Sequence, residues 1–84
     1  AKEADYWIPE CHYIMENYKE AEKGYVNYLK KHKEGKKVCV AIYKLGLVYD
    51  EQDKEKSRDM VWKKLLKQCP DTDEAKIVKS RNNE

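Results

Sequence analysis

Residues 38–50 read Val38-Cys39-Val40-Ala41-Ile42-Tyr43-Lys44-Leu45-Gly46-Leu47-Val48-Tyr49-Asp50. Val38, Ala41, Ile42, Leu45, Val48 and Tyr49 recur three or four residues apart, so they gather on one face of a helix; a strand would alternate with period 2. A helix from about Lys36 to Asp50 that buries this face against a partner is therefore predicted. On its N-terminal side the same reading gives a helix near Ala4 to Met15 and another from about Tyr18 to His32. The second of these carries Ala21, Tyr25, Tyr28, Leu29 and His32 on one face and is stopped by Glu34-Gly35. On its C-terminal side a helix from about Lys54 to Gln68 turns Ser57, Val61 and Leu65 inward, together with Trp62, Leu66 and Cys69. Pro70 ends it, because proline disfavours helix in the residue before it. Asp71-Thr72-Asp73 is an N-cap cluster for a last helix, Glu74 to about Arg81, with Ala75, Val78 and, as a further candidate, Ile77 inward. Residues 81–84 are expected to fray.

Composition bounds what these helices can build. The chain has 84 residues, 40% of them Asp, Glu, Lys or Arg, and only fifteen Ile, Leu and Val with no Phe. That lies near the roughly 20% level below which disorder sets in, but disorder also needs a high net charge. Here 18 basic against 16 acidic residues leave +2, and seven Tyr with two Trp supply bulk. The expectation is one small domain with a thin core that leans on neighbours. No apolar run approaches the ~18 residues of a membrane span. The chain begins at Ala1 rather than Met, which allows for a removed leader or upstream domain, so the lack of a signal segment carries no information on secretion.

The chain also repeats itself. An offset of 37 positions pairs Ala4 with Ala41, Tyr6 with Tyr43, Ile8 with Leu45, Glu16 with Asp53, Tyr25 with Trp62, Leu29 with Leu66 and Lys30 with Lys67. Each copy reads helix, short turn, helix and a lysine-rich ending, and helices joined by three to five polar residues pack antiparallel. In the second copy Ile42-x2-Leu45-Gly46-x2-Tyr49, then Trp62, then Pro70 follows the W-x2-L-G-x2-Y…A-x3-F…P spacing. This copy resembles a tetratricopeptide repeat (TPR). At finer grain, "AIYKLGLVYDEQ" and "CPDTDEAK" resemble the C-terminal repeats of the periplasmic Tol–Pal coordinator type. Arg58 and Leu65 depart from the pattern, standing where small residues are expected. In the first copy Ala21 and Tyr25 keep the small-x3-aromatic pair, but Pro9 occupies the glycine slot and Lys33 the proline slot. A proline inside a helix costs ~3 kcal/mol or more. Either the first helix is kinked, or it begins at Pro9 and leaves Tyr6-Trp7-Ile8 as an extended lead-in.

The resemblance implies an all-α, right-handed superhelical array of antiparallel hairpins: repeats at about 4–34 and 36–70, and a capping helix at about 73–81. It implies a non-enzymatic scaffold whose first helix in each repeat lines a concave groove. Carried onto matched positions, the partner-binding set is Tyr6, Glu10 and Tyr13 in the first copy and Val40, Tyr43, Leu47 and Asp50 in the second. The Lys and Asn that let some TPR proteins grip a C-terminal carboxylate are absent there, so an apolar or aromatic peptide is the expected partner. Tyrosines suit such a surface; the competing reading buries Tyr43 and Leu47 against the closing helix or a dimer mate. The resemblance places the protein in the periplasm or envelope, with the cytoplasm as alternative.

Other chemistries find less support. Lys30-Lys31-His32-Lys33 and Lys36-Lys37 invite the reading of a basic nucleic-acid-binding domain, the third and least favoured function, in which a basic patch releases counterions from phosphate. Cations are, however, favoured at helix C-termini by ~0.3–1 kcal/mol each, which also accounts for Lys63, Lys64 and Lys67. Cys11, Cys39 and Cys69 are an odd number, so at least one thiol is free or paired between chains. With His12 and His32 they do not fall at metal-finger spacing. His32 and Cys69 hold matched positions, read as a shared core slot. No phosphate-cradling loop, nucleophile–base pair or haem motif is present, so neither cofactor nor metal is expected. Two repeats and one helix are few for a solenoid. Tyr6, Trp7 and Ile8 should therefore be exposed, and the N-terminal end should contact a second copy, an upstream domain or a partner. A small helical self-association domain is accordingly the alternative function.

Overall fold

The computed structural model describes residues 2–82, with side chains from Asp5 to Arg81. Its helices are α1 (Lys2–Ile14), α2 (Tyr18–Lys31), α3 (Lys36–Glu51), α4 (Glu55–Gln68) and α5 (Asp73–Asn82). The chain is an all-α array of helical hairpins: α1 packs on α2, α3 on α4, α2 joins the two hairpins through α3, and α5 closes against α3 and α4. No helix among the described residues is long and apolar enough to cross a membrane. α1 runs through Pro9, so Tyr6-Trp7-Ile8 is helical rather than an extended lead-in. Arg81 and Asn82, expected to fray, belong to α5, while Asn83 and Glu84 lie outside the described residues.

The 37-residue offset is written into the backbone. Glu16 and Asp53 both take a left-handed conformation, with φ of 62° and 60°. The Glu16 N–H donates to the Tyr13 carbonyl and that of Asn17 to His12; at matched positions Asp53 donates to Asp50 and Lys54 to Tyr49. The same correspondence holds where the second helix begins (Ala21 to Asn17, Arg58 to Lys54) and where it ends (His32 to Tyr28, Cys69 to Leu65). The two hairpins therefore share one turn geometry despite little side-chain identity.

Close helix approach is reached differently in the two hairpins. A Cβ on Gly46 of α3 would stand 1.9 Å from Nε1 of Trp62, so the indole lies directly on the α3 backbone. Its N–H donates to the Tyr43 carbonyl at 3.1 Å. In the first hairpin Pro9 fills the position of Gly46, and the space comes from the opposite helix: a Cβ on Gly24 of α2 would lie 2.7 Å from the Pro9 Cβ. The core around these contacts comprises Tyr25, Tyr28, Val38, Ala41, Ile42, Leu45, Val48 and Leu65, with Ala75 and Val78 of α5. Ile77 points outward. Thr72 caps α5, its Oγ1 accepting the Ala75 N–H at 3.2 Å.

A disulfide joins Cys39 near the start of α3 to Cys69 at the end of α4, leaving Cys11 as an exposed free thiol. It fastens the open end of the second hairpin, opposite its turn. His32, at the position matching Cys69, lies against the Tyr28 ring instead.

Two stability outcomes follow from these contacts. Gly46→Ala should destabilise the fold by about 2 kcal/mol in chemical denaturation, because overpacking near the top of its ~1–3 kcal/mol range outweighs a helix-propensity gain of ~1 kcal/mol. Replacing Cys39 and Cys69 with Ser should cost about 3.5 kcal/mol, as expected for a cross-link spanning a sequence separation of 30. Adding a thiol reductant should erase the difference between this variant and the parent.

Candidate functional site

The sequence-derived set divides between the interior and a half-open surface. Tyr6 and Glu10 are buried, 6% and 7% exposed, because α3 lays its lysines across them. The Lys37 ammonium stands 5.6 Å from the Tyr6 ring centroid, and Lys44 donates to Glu10 Oε2 at 2.7 Å. The other Glu10 oxygen accepts the Tyr25 hydroxyl. Both carboxylate oxygens are thus committed inside the fold, and the expectation that Tyr6 and Glu10 face an open groove is corrected. The cause is the neighbouring repeat: a first helix is covered wherever the next first helix packs beside it. Tyr13 is half-buried, with its ring edge-on to Tyr18 at 6.0 Å.

Val40, Tyr43, Leu47 and Asp50 form the exposed edge of α3 and are all half-buried. Their three- and four-residue spacing aligns them along the helix. Tyr43 stacks on Trp62, with centroids 6.3 Å apart. Val40 lines a cleft of about 420 Å³ with Lys36 and residues 71–74. At the other end Asp50 pairs with Arg58 and, at 3.5 Å, with Arg81. Both guanidiniums lie over Trp62, at 5.5 Å and 4.8 Å from its ring. Arg58, Trp62 and Arg81 line a second cleft of about 510 Å³ with Asp59, Lys63 and Leu66. Arg58 stands where a small residue was expected, and its side chain is accommodated by folding back over the indole towards Asp50.

Three features of the site escaped the sequence pattern: the Glu10–Tyr25–Lys44 cluster, the Asp50–Arg58–Arg81 clamp on Trp62, and Gly24. None is periodic, and each depends on contacts between different helices. Of the lysine runs, Lys30, Lys31 and Lys67 stand in the last turns of α2 and α4, whereas Lys36 and Lys37 open α3, the end at which the helix dipole disfavours cations. Lys33 donates to the Leu29 carbonyl at 3.3 Å, and Lys31 lies 3.6 Å from Asp5. A third cleft, about 530 Å³, borders the disulfide and residues 68–72. Among the described residues no group of three or more His, Cys, Asp or Glu is placed to hold a metal ion.

Burial sets the proton affinity of the interior phenols. Tyr6 is pushed up to about 12, mainly by burial and then by the charge of Glu10. Tyr25 is pushed up further, by burial first and by its hydrogen bond to Glu10. Neither phenol readily becomes a phenolate beside that carboxylate, which suits a structural role. No protein-family model matches the chain, and no curated protein matches it.

These phenols also set an alkaline limit. Each has a folded pKa above its unfolded value near 10, so their stabilising effect is complete below pH 10 and is lost as pH rises through their folded values. Ultraviolet titration should show tyrosinate formation at Tyr6 and Tyr25 delayed beyond pH 10, arriving together with loss of helical circular dichroism. Glu10→Ala, which strips the partner from the Tyr25 hydroxyl and from Lys44, should cost about 2–3 kcal/mol; Glu10→Gln should cost less.

Proposed function

We propose that this protein is a non-enzymatic, TPR-like scaffold that binds an extended apolar or aromatic protein segment along the edge of α3. The observation that carries this reading is the half-exposed row Val40, Tyr43 and Leu47, set between two clefts on a helix whose opposite face is fixed in the core. A row on a rigid helix presents contact area that need not be ordered on binding. Tyr43, held against Trp62, supplies an aromatic anchor of the kind that dominates binding energies. Asp50, Arg58 and Arg81 close one end with mixed charge, and Asp73 and Glu74 with Lys36 close the other, giving an apolar centre a polar rim.

Two observations support the TPR-like part of this reading, namely Gly46 against Trp62 and the duplicated hairpin turns. The non-enzymatic part draws on the enclosure of the polar interior. Glu10, Tyr25 and Lys44 satisfy one another, and none lines the clefts described above.

Co-purification from source extract, comparing the parent chain with Tyr43→Glu, tests the reading. Tyr43 touches Trp62 through its ring, whereas the indole N–H bonds to its backbone carbonyl, so the variant should keep its helical circular dichroism. A partner recovered by the parent and lost with Tyr43→Glu and with Leu47→Glu is the expected result. Equal recovery by all three chains places binding elsewhere.

A further inference from the structure

The last helix hangs from the disulfide. Cys69 follows α4 directly, and its carbonyl accepts both the N–H and the hydroxyl of Thr72, at 3.3 Å and 2.8 Å. The Thr72 oxygen in turn accepts the Ala75 N–H at 3.2 Å and so starts α5. α5 has little else to hold it. Among residues 73–81 only Ala75 and Val78 are buried. Its far end is joined through Arg81, which lies over the Trp62 ring and 3.5 Å from Asp50. A long ion pair of this kind, open to water, is worth little. The place of α5 therefore follows the place of Cys69.

The disulfide is the main restraint on that place. α3 opens at Gly35 without a side-chain cap. The neighbouring polar tie, from Gln68 to the Lys33 carbonyl at 2.8 Å, is exposed, so water competes for it. Both cysteines line the cleft of about 530 Å³. Cys69 is buried and Cys39 half-buried, so Cys39 offers the more open approach. The rest of the hairpin does not need the bond, because Trp62 on Gly46 and Leu65 in the core join α3 to α4 nearer its middle.

We propose that Cys39–Cys69 is a redox switch on α5: reduction by a small thiol such as glutathione undocks α5, leaves α1 to α4 folded, and opens the face of α3 and α4 that α5 covers. A glutathione thiolate in the cleft attacks the Cys39 sulfur. The Cys39–Cys69 bond breaks, and the Cys69 sulfur keeps the electron pair and takes a proton. A second glutathione thiolate attacks the glutathione sulfur of the mixed disulfide, releasing glutathione disulfide and the Cys39 thiol. The chain gains two electrons and two protons, which two glutathione thiols lose.

Amide hydrogen exchange of the full chain, before and after treatment with excess glutathione, tests the proposal. Reduction should speed exchange in α5 about tenfold or more and leave it faster than at the buried residues of α2 and α3, because local opening then precedes global unfolding. Cys39→Ser with Cys69→Ser should show the fast α5 without glutathione and no further change with it. Thr72→Ala, which cuts the link from Cys69 to α5, should speed α5 in the oxidised chain and shrink the gain on reduction. Exchange in α5 that reduction does not move overturns the proposal. So does exchange of α5 at one rate with α2 and α3, since the bond then sets global stability alone. Loss of most helical circular dichroism on reduction, or a bond that glutathione leaves oxidised, overturns it as well.

Discussion

The indole of Trp62 lying on the bare Cα of Gly46 is the contact on which the second half of the molecule depends. It brings α4 to the α3 backbone more closely than any side chain at position 46 allows. It directs the indole N–H to the Tyr43 carbonyl and holds the ring within reach of two guanidiniums. Those guanidiniums share Asp50, so a single packed ring ties α3, α4 and the end of α5 together. The same ring sets the position of Tyr43. The candidate binding edge is therefore built on the core rather than attached to it, which limits the freedom its side chains would lose on binding.

The first hairpin reaches the same approach with the small residue on the other helix. Pro9 stands where Gly46 stands in the second, and Gly24 on α2 makes room for it. Helix packing requires that one of two facing positions be small and is indifferent to which. The hairpins are joined partly by polar contacts: Glu10 of α1 receives Tyr25 of α2 and Lys44 of α3. Removing either donor from such a cluster leaves a buried group unsatisfied, so the cluster specifies one arrangement of the two hairpins. A chain with only fifteen Ile, Leu and Val residues gains definition from satisfied polar contacts and a cross-link that its modest apolar core does not supply alone.

α1 belongs to two environments. Its inner face completes the core through Tyr6 and Pro9, and its outer face is apolar and largely exposed, with the Lys37 ammonium 5.9 Å from the Trp7 ring. In a stacked helical array each repeat buries the exposed face of the one before it. α5 does this for α3 at the C-terminal end. The apolar edge of α3 and the outer face of α1 are separate surfaces, so binding along one leaves the other available.

The number, span and pairing of the helices were legible in the sequence, because apolar spacing, Gly35, Pro70 and short polar turns act locally and each constrains the few residues around it. The 37-residue duplication was legible for the same reason, and the matched left-handed residues Glu16 and Asp53 carry it in the backbone. The exposure of the candidate residues was not. Tyr6 and Glu10 match Tyr43 and Leu47 in register, but α3 covers the first pair while the second remains half-exposed. The course of α1 through Pro9 was decided by Gly24 on another helix, and the choice of Cys39 and Cys69 over Cys11 by which thiols the second hairpin brings together. Sequence by itself determined what depends on neighbours along the chain; tertiary structure decided burial, ion pairing and cross-linking, because these depend on which surfaces meet in space.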